Sequence, residues 1–178
     1  LAPHRRIDIG ALDDPAHLDF VALSAHKMYA PFGAGALIAR RDVFERGEPE
    51  YRGGGTIDFV TTQSVDWAGA PDRDEAGTPN VVGVLAWAQA LDALRRIGMD
   101  AIARHEAALC AYALERLATI DGLRLYGDAD PDRASQRLGV ISFNLDRHPH
   151  GLVAAVLGHE FGIGVRHGCF CAHPYVLH

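Results

Sequence analysis

Between Leu18 and Ala39 the chain passes from an apolar run, Leu18-Asp-Phe-Val-Ala-Leu23, through a polar segment holding Ser24, His26 and Lys27, into a glycine-punctuated run, Gly35-Ala-Leu-Ile-Ala39. The near-continuous apolar character of residues 18–24 predicts a buried strand, and Gly35–Arg40 predicts a second. A polar loop between two such strands holds its side chains at the edge of a core. A lysine placed there, beside a serine and a histidine, suits covalent capture of an aldehyde cofactor. In water a lysine amine has a pKa of about 10.4, so only about one in 2,500 is free at neutral pH. Partial desolvation favours the free amine, which is the nucleophile. A solvated surface lysine is the blander alternative.

Downstream, Arg41–Arg46 predicts a short helix. Residues 47–77, rich in Gly, Pro, Asp and Thr, predict loops with short strands, and so long an irregular stretch in a compact domain is often functional. Thr78-Pro79 predicts a helix start, with Thr78 as N-cap and Pro79 at the first helical position. Val81, Val84, Leu85, Ala88, Leu91 and Ile97 recur at helical spacing up to Gly98. Asp100 is expected to cap a second helix carrying Ile102, Leu109, Tyr112, Ala113 and Leu117 toward Gly122. The remainder reads as strand 123–126, a polar loop through Pro131-Asp132-Arg133, strand 138–145, helix 151–161 and strand 163–166.

A chain of 178 residues is one domain or parts of two. Its formal net charge of −6 argues against nucleic acid or an anionic membrane as the main partner. No apolar run approaches the roughly 20 residues of a membrane-spanning helix. The opening Leu1-Ala-Pro-His-Arg-Arg6 lacks the apolar stretch of a secretory signal. Three cysteines without framework spacing suit a reducing cytoplasm.

Four segments in this order, Ser24-Ala-His-Lys27, Arg52-Gly-Gly-Gly-Thr56, Glu75-Ala-Gly-Thr-Pro-Asn80 and Val165-Arg-His-Gly-Cys-Phe-Cys-Ala-His-Pro174, resemble the class V, fold type I pyridoxal-phosphate enzymes. The resemblance is nearest to the cysteine desulfurase and selenocysteine lyase branch, whose lysine loop reads Ser-Gly-His-Lys before a Gly-rich strand. It implies an α/β fold, with part of the large mixed-sheet domain over 1–98, including a first bridging helix. Over 99–178 it implies a second bridging helix and part of the small C-terminal α/β domain. It further implies pyridoxal 5'-phosphate held by Lys27 as a Schiff base, with Ser24 and His26 at the phosphate. Gly77 and Thr78 would reach the phosphate of a neighbouring subunit, which makes a homodimer the expected assembly. In the family an Asp, a Gln and a His that contact the cofactor ring lie before the position of Leu1. An Arg that grips the substrate carboxylate lies beyond that of His178. On that basis the chain is expected to be a fragment or the product of a truncated gene.

The last of these segments is the second chemical centre. By the resemblance, Cys171 is the cysteine that takes sulfur from a small amino-acid substrate as a persulfide, before handing it to a sulfur-acceptor protein. Arg166, His167 and His173 supply the positive charge that favours a thiolate, and Arg166 is expected to face the substrate. A buried structural thiol is the alternative for Cys171, a strand-end turn former for Ser24, and a packing residue for His26. Cys110 is expected in a helix core, and Cys169 has no assigned role. His167, Cys169, Cys171 and His173 alternate and are all zinc-ligand types, but i and i+2 side chains on an extended strand project about 7 Å apart, too far for one tetrahedral site. Gly53-Gly54-Gly55-Thr56 lacks the Gly-Lys-Ser/Thr ending of a nucleotide loop and reads either as a flexible turn or as a segment near the site. A class V aminotransferase or epimerase, and an inactive remnant, are the rival readings of the whole.

Overall fold

The computed structural model describes residues 2–176. Three separate antiparallel strand pairs and five helices are formed among these residues. They fall into two compact units, one ending at Ile102 and the other beginning at Ala103.

In the first unit, β1 (Phe20–Ser24) pairs with β2 (Gly35–Ala39), in a register that sets Ser24 opposite Gly35 and Phe20 opposite Ala39. Gly35 is required by a close approach. A Cβ there would lie 2.7 Å from the Leu23 carbonyl oxygen. The strand expected to be buried is so on one face only. Val21 and Leu23 are half-buried, whereas Phe20 is 57% exposed. A two-stranded ladder has neither neighbouring strands nor a covering layer on its second face. Helix α1 (Arg41–Phe44) follows, and Asp42 accepts from Arg40 at 2.9 Å and also from Arg46.

The glycine-rich region is ordered by specific bonds. Strands β3 (Ile57–Val60) and β4 (Val65–Trp67) form a hairpin closed by Thr61 N–H to the Ser64 carbonyl at 2.8 Å. Arg73, only 8% exposed, donates to the Gly47 carbonyl at 2.6 Å, and Arg41 donates to that of Ala70 at 3.0 Å.

Helix α2 spans Val81–Ile97, and its N-cap is Asn80 rather than Thr78. The Asn80 Oδ1 accepts the Gly83 N–H at 3.0 Å, so the first turn begins two residues later than Thr78-Pro79 suggests. Gly98, at φ +88°, ends the helix by donating to the Leu94 carbonyl at 2.9 Å. The inward face is Gly83, Trp87 and Leu94, not the expected stripe, of which Val81, Val84, Leu85 and Ile97 are at least half exposed.

Helix α3 (Met99–Leu117) starts one residue before Asp100, so that carboxylate lies in the first turn, where it favours the helix dipole, instead of capping it. The division between the two units falls within this helix. In the second unit, Cys110 and Leu114 are buried with Ala134, and Leu125 and Ile141 pack against them. Cys110 is therefore a core thiol, as its place on a helix predicts. Leu109 and Tyr112 face outward, at 54% and 62% exposure.

Strand β5 (Leu123–Tyr126) pairs with β6 (Ser142–Leu145). The second strand is shorter than the predicted 138–145, because Arg137 ties the carbonyls of Asp128 and Val140 and holds the preceding residues as a loop. Pro131–Gln136 forms a 3-10 turn capped by the Asp130 carboxylate, which accepts the Asp132 N–H at 3.0 Å. Helix α4 (His150–Phe161) ends at Gly162, φ +66°. The strand expected at 163–166 is absent among the described residues, and no partner strand lies against it. A short helix, α5 (His173–Val176), follows the terminal loop. None of these helices is long and apolar enough to cross a membrane.

Candidate active site

Lys27 lies on a 3-10 turn, Ala25–Met28, directly after β1. In a 3-10 turn positions i and i+3 share a face. Here these are Ala25 and Met28, at 0% and 7% exposure, and both enter an apolar cluster with Trp87 and Leu94 of α2. The intervening His26 and Lys27 are therefore turned to solvent. The turn is closed at both ends. Ala25 N–H donates to the Ala34 carbonyl at 3.0 Å, and Ala30 N–H to that of Ala25 at 3.2 Å. Tyr29 adopts a left-handed conformation, φ 65°, to end it. The His26 ring stacks on Phe32, with centroids 4.8 Å apart and planes inclined by 22°.

Lys27 is the only lysine in the chain, against sixteen arginines. Its amine makes no hydrogen bond or ion pair within the described residues, and neither do the hydroxyls of Ser24 and Thr78. A primary amine, a hydroxyl and an imidazole on one rigid turn, all with unused bonding capacity, suit an anionic ligand that carries a carbonyl.

The segment holding Gly77 and Thr78 is linked to the other glycine motif. Gly77, at φ +87°, donates its N–H to the Gly54 carbonyl at 2.9 Å. The Gly53–Thr56 turn is no flexible link. Thr56 is fully buried, its Oγ1 donates to the Gly53 carbonyl at 2.7 Å, and it accepts the Gly53 N–H at 3.2 Å. Arg52 lies 5.6 Å from the Trp67 ring centroid.

In the second unit the terminal loop is fixed by two ring contacts. Arg166 sits over Phe170, 5.2 Å from its centroid. His167 stacks on His150, the first residue of α4, with 3.3 Å between their Nδ1 atoms. Phe170 and Cys171 both adopt left-handed backbone, φ 51° and 60°. Ala172 N–H closes a tight turn onto the Cys169 carbonyl at 2.7 Å. Cys171 is exposed and Cys169 half-buried, and all three cysteines are free. Within the described residues no three His, Cys, Asp or Glu side chains converge as a metal site would require.

The structure thus brings Ser24, His26 and Lys27 onto one turn, and Arg166 and Cys171 into one loop, each in its own unit. Sequence reasoning missed Asn80, whose signal is the glycine three residues on, and Met28 with Trp87, which seat the lysine turn. It also missed His150, for which no signal precedes the fold, and the solitary status of Lys27, which a residue count shows.

The strand–turn–strand around the lysine, the paired glycine turns and the cysteine loop define a class, and the whole chain, residues 1–178, matches the aminotransferase class-V family model. The chain belongs to that family. It is 40% identical over 174 residues to a probable cysteine desulfurase of Staphylococcus aureus, covering 97% of this chain and 40% of that protein. A Staphylococcus epidermidis relative of the same description is 41% identical over the same span. Among solved structures, the apo cysteine desulfurase of Thermococcus onnurineus NA1 superposes with a TM-score of 0.80 at 31% identity, over 99% of this chain and 42% of that one. The cysteine desulfurase CsdA of Escherichia coli gives 0.75 at 30%, over 90% and 38%. The fold is therefore a part of the fold type I architecture, and the chain spans about 40% of the length of the relatives it matches.

Proposed function

We propose that this chain supplies the lysine and the sulfur-accepting cysteine of a pyridoxal-phosphate-dependent cysteine desulfurase or selenocysteine lyase. The observation that carries the reading is Lys27, the sole lysine, presented without a partner among the described residues on a turn whose opposite face is locked into the core. Ser24 and His26 would donate to the cofactor phosphate, and Thr78 to that of a neighbouring subunit in a homodimer; Gly77, whose N–H is taken by the Gly54 carbonyl, would shape that turn and not donate. When bound, pyridoxal phosphate supplies the electron sink that stabilises charge at the substrate Cα. Lys27 Nζ would hold the aldehyde and, once the substrate amine has displaced it, would as a free amine take the α-proton and return it. Arg166 would face the substrate and add positive charge beside Cys171. Cys171 Sγ attacks the substrate sulfur. An S–S bond forms on Cys171 as the substrate Cβ–S bond breaks, the electron pair stays with carbon, and protonation gives alanine. The exposed, loop-borne position of Cys171 supports its transfer of sulfur onward to an acceptor protein. Three free thiols support a reducing, cytoplasmic setting.

The test grafts residues 1–178 into the Staphylococcus aureus relative in place of its matching segment. Borohydride reduction after adding pyridoxal phosphate should label Lys27, located by peptide mass, and Lys27→Ala should abolish the label at that position. With cysteine or selenocysteine as substrate, alkylation should trap the extra chalcogen on Cys171. Cys171→Ala should keep the cofactor label and lose the persulfide. Amino-group exchange with a keto acid and no persulfide would favour an aminotransferase. Absence of any label would favour an inactive remnant.

A further inference from the structure

One side chain joins the segments that carry the candidate cofactor contacts. Asn80 accepts the Gly83 N–H on its Oδ1 at 3.0 Å and donates from its Nδ2 to the Gly33 carbonyl at 3.0 Å. One neighbour is a donor and the other an acceptor, so a flipped amide would lose both bonds. Both neighbours are glycines, and both need to be. A Cβ on Gly83 would lie 2.4 Å from Asn80 Nδ2 and 2.9 Å from its Cγ. A Cβ on Gly33, itself at φ +90°, would lie 3.1 Å from the same nitrogen. Gly33 is next to Ala34, whose carbonyl closes the Lys27 loop onto Ala25. On its other side Asn80 stands two residues from Thr78, and Gly77 is anchored to Gly54.

We propose that Asn80 is a positioning residue that holds the Lys27 loop in register with the Gly77–Thr78 turn, and so fixes where the Lys27 amine is presented. Only the naming of the ligand as a phosphorylated aldehyde rests on the proposed function. The tie itself does not. A carboxylate at position 80 keeps the cap on Gly83 but cannot donate to the Gly33 carbonyl. In the 178-residue chain, Asn80→Asp should therefore speed hydrogen exchange across residues 25–34 by roughly 3- to 10-fold, the loss of one modest hydrogen bond. Exchange over α2 should not change. The rate at which pyridoxal phosphate is trapped on Lys27 by borohydride should fall by a similar factor.

A second pair of variants reads the same contact by its geometry. Gly83→Ala should displace the Asn80 amide and loosen residues 25–34 as Asn80→Asp does. In an Asn80→Ala background the same change should leave the loop untouched and slow exchange in α2, because Ala is a better helix former than Gly. Loop exchange in Asn80→Asp equal to wild type would overturn the proposal. So would a Gly83→Ala effect on the loop of equal size with and without Asn80, or faster loop exchange with no change in trapping. A wild-type chain that traps no pyridoxal phosphate counts against the proposed function alone, since the exchange measurements read the register without ligand.

Discussion

Met28→Ala tests the idea that the lysine turn is seated from beneath. Met28 is 7% exposed and shares a cluster with Ala25, Trp87 and Leu94. Removing its thioether deletes three heavy atoms from that cluster. Buried Met→Ala changes cost about 2–5 kcal/mol, the range depending on how far the site collapses. Here the surrounding residues, Leu23, Ala30, Ala34 and Ala36, are only partly buried, so relaxation is easy and the cost falls near the lower end, about 2 kcal/mol. If that loss is local, the open population of the turn rises by about 30-fold, at 1.4 kcal/mol per factor of ten. Amide exchange in residues 25–34 should accelerate by the same factor, and the rate at which borohydride traps pyridoxal phosphate on Lys27 should fall. Met28→Leu, which conserves volume, should cost under about 1.5 kcal/mol and keep both. Denaturant titration gives the global stability and exchange gives the local one. A variant that loses stability with no change in exchange at 25–34 would show that Met28 supports the α2 core without seating the lysine.

Gly35→Ala should cost about 1–3 kcal/mol by forcing β2 away from the Leu23 carbonyl, and denaturation of the chain checks it. Hydrogen bonding from Arg40, which outweighs an opposing desolvation and is aided by the charges of Arg40 and Arg46, holds the Asp42 carboxyl below its ordinary value. Its contribution to stability is thus complete above the carboxyl's unfolded pKa and disappears as pH falls through the lower folded value; for an exposed group this is a small effect. Asp42→Asn should flatten that acid-side slope in a pH series of melting curves. Disulfide-exchange labelling should reach Cys171 first and the half-buried Cys169 second. Cys110, 3% exposed, should react only on unfolding, and rapid modification of Cys110 in the native chain would contradict the packing of α3.

What the sequence made legible was local. The apolar–polar–apolar run from Leu18 to Ala39 specified two strands and a polar loop carrying Lys27, and the structure pairs those strands. Gly98 specified the end of α2, and Gly162 falls where the predicted helix over 151–161 stops. Errors arose where two local solutions compete. Thr78-Pro79 and Asn80 are both good helix starts, and the choice fell to Asn80 because Gly83 leaves room for its amide and Gly33 offers it a second bond. Neither condition is visible from residues 78–81 alone. The strand expected at 163–166 has suitable residues, but a strand requires a neighbour to pair with. None of the described strands lies beside it.

Helix α2 shows why a correct period does not name the buried face. It is apolar on two sides. One side meets Ala25 and Met28 of the lysine turn through Trp87 and Leu94, while Gly83 on the same side leaves room for the Asn80 amide. The other side, Val81, Val84 and Leu85, is at least half exposed and begins next to Thr78. In the proposed homodimer these features follow from one another. If Thr78 serves the neighbouring subunit's phosphate, the neighbour has to lie against the start of α2, where the outward valines and leucine would be covered. In that arrangement the inward face would seat the Lys27 turn of its own subunit, while the outward face would meet the partner. Asn80, bonded to Gly33 and to Gly83, would then tie the Lys27 loop to the start of the helix that meets the partner.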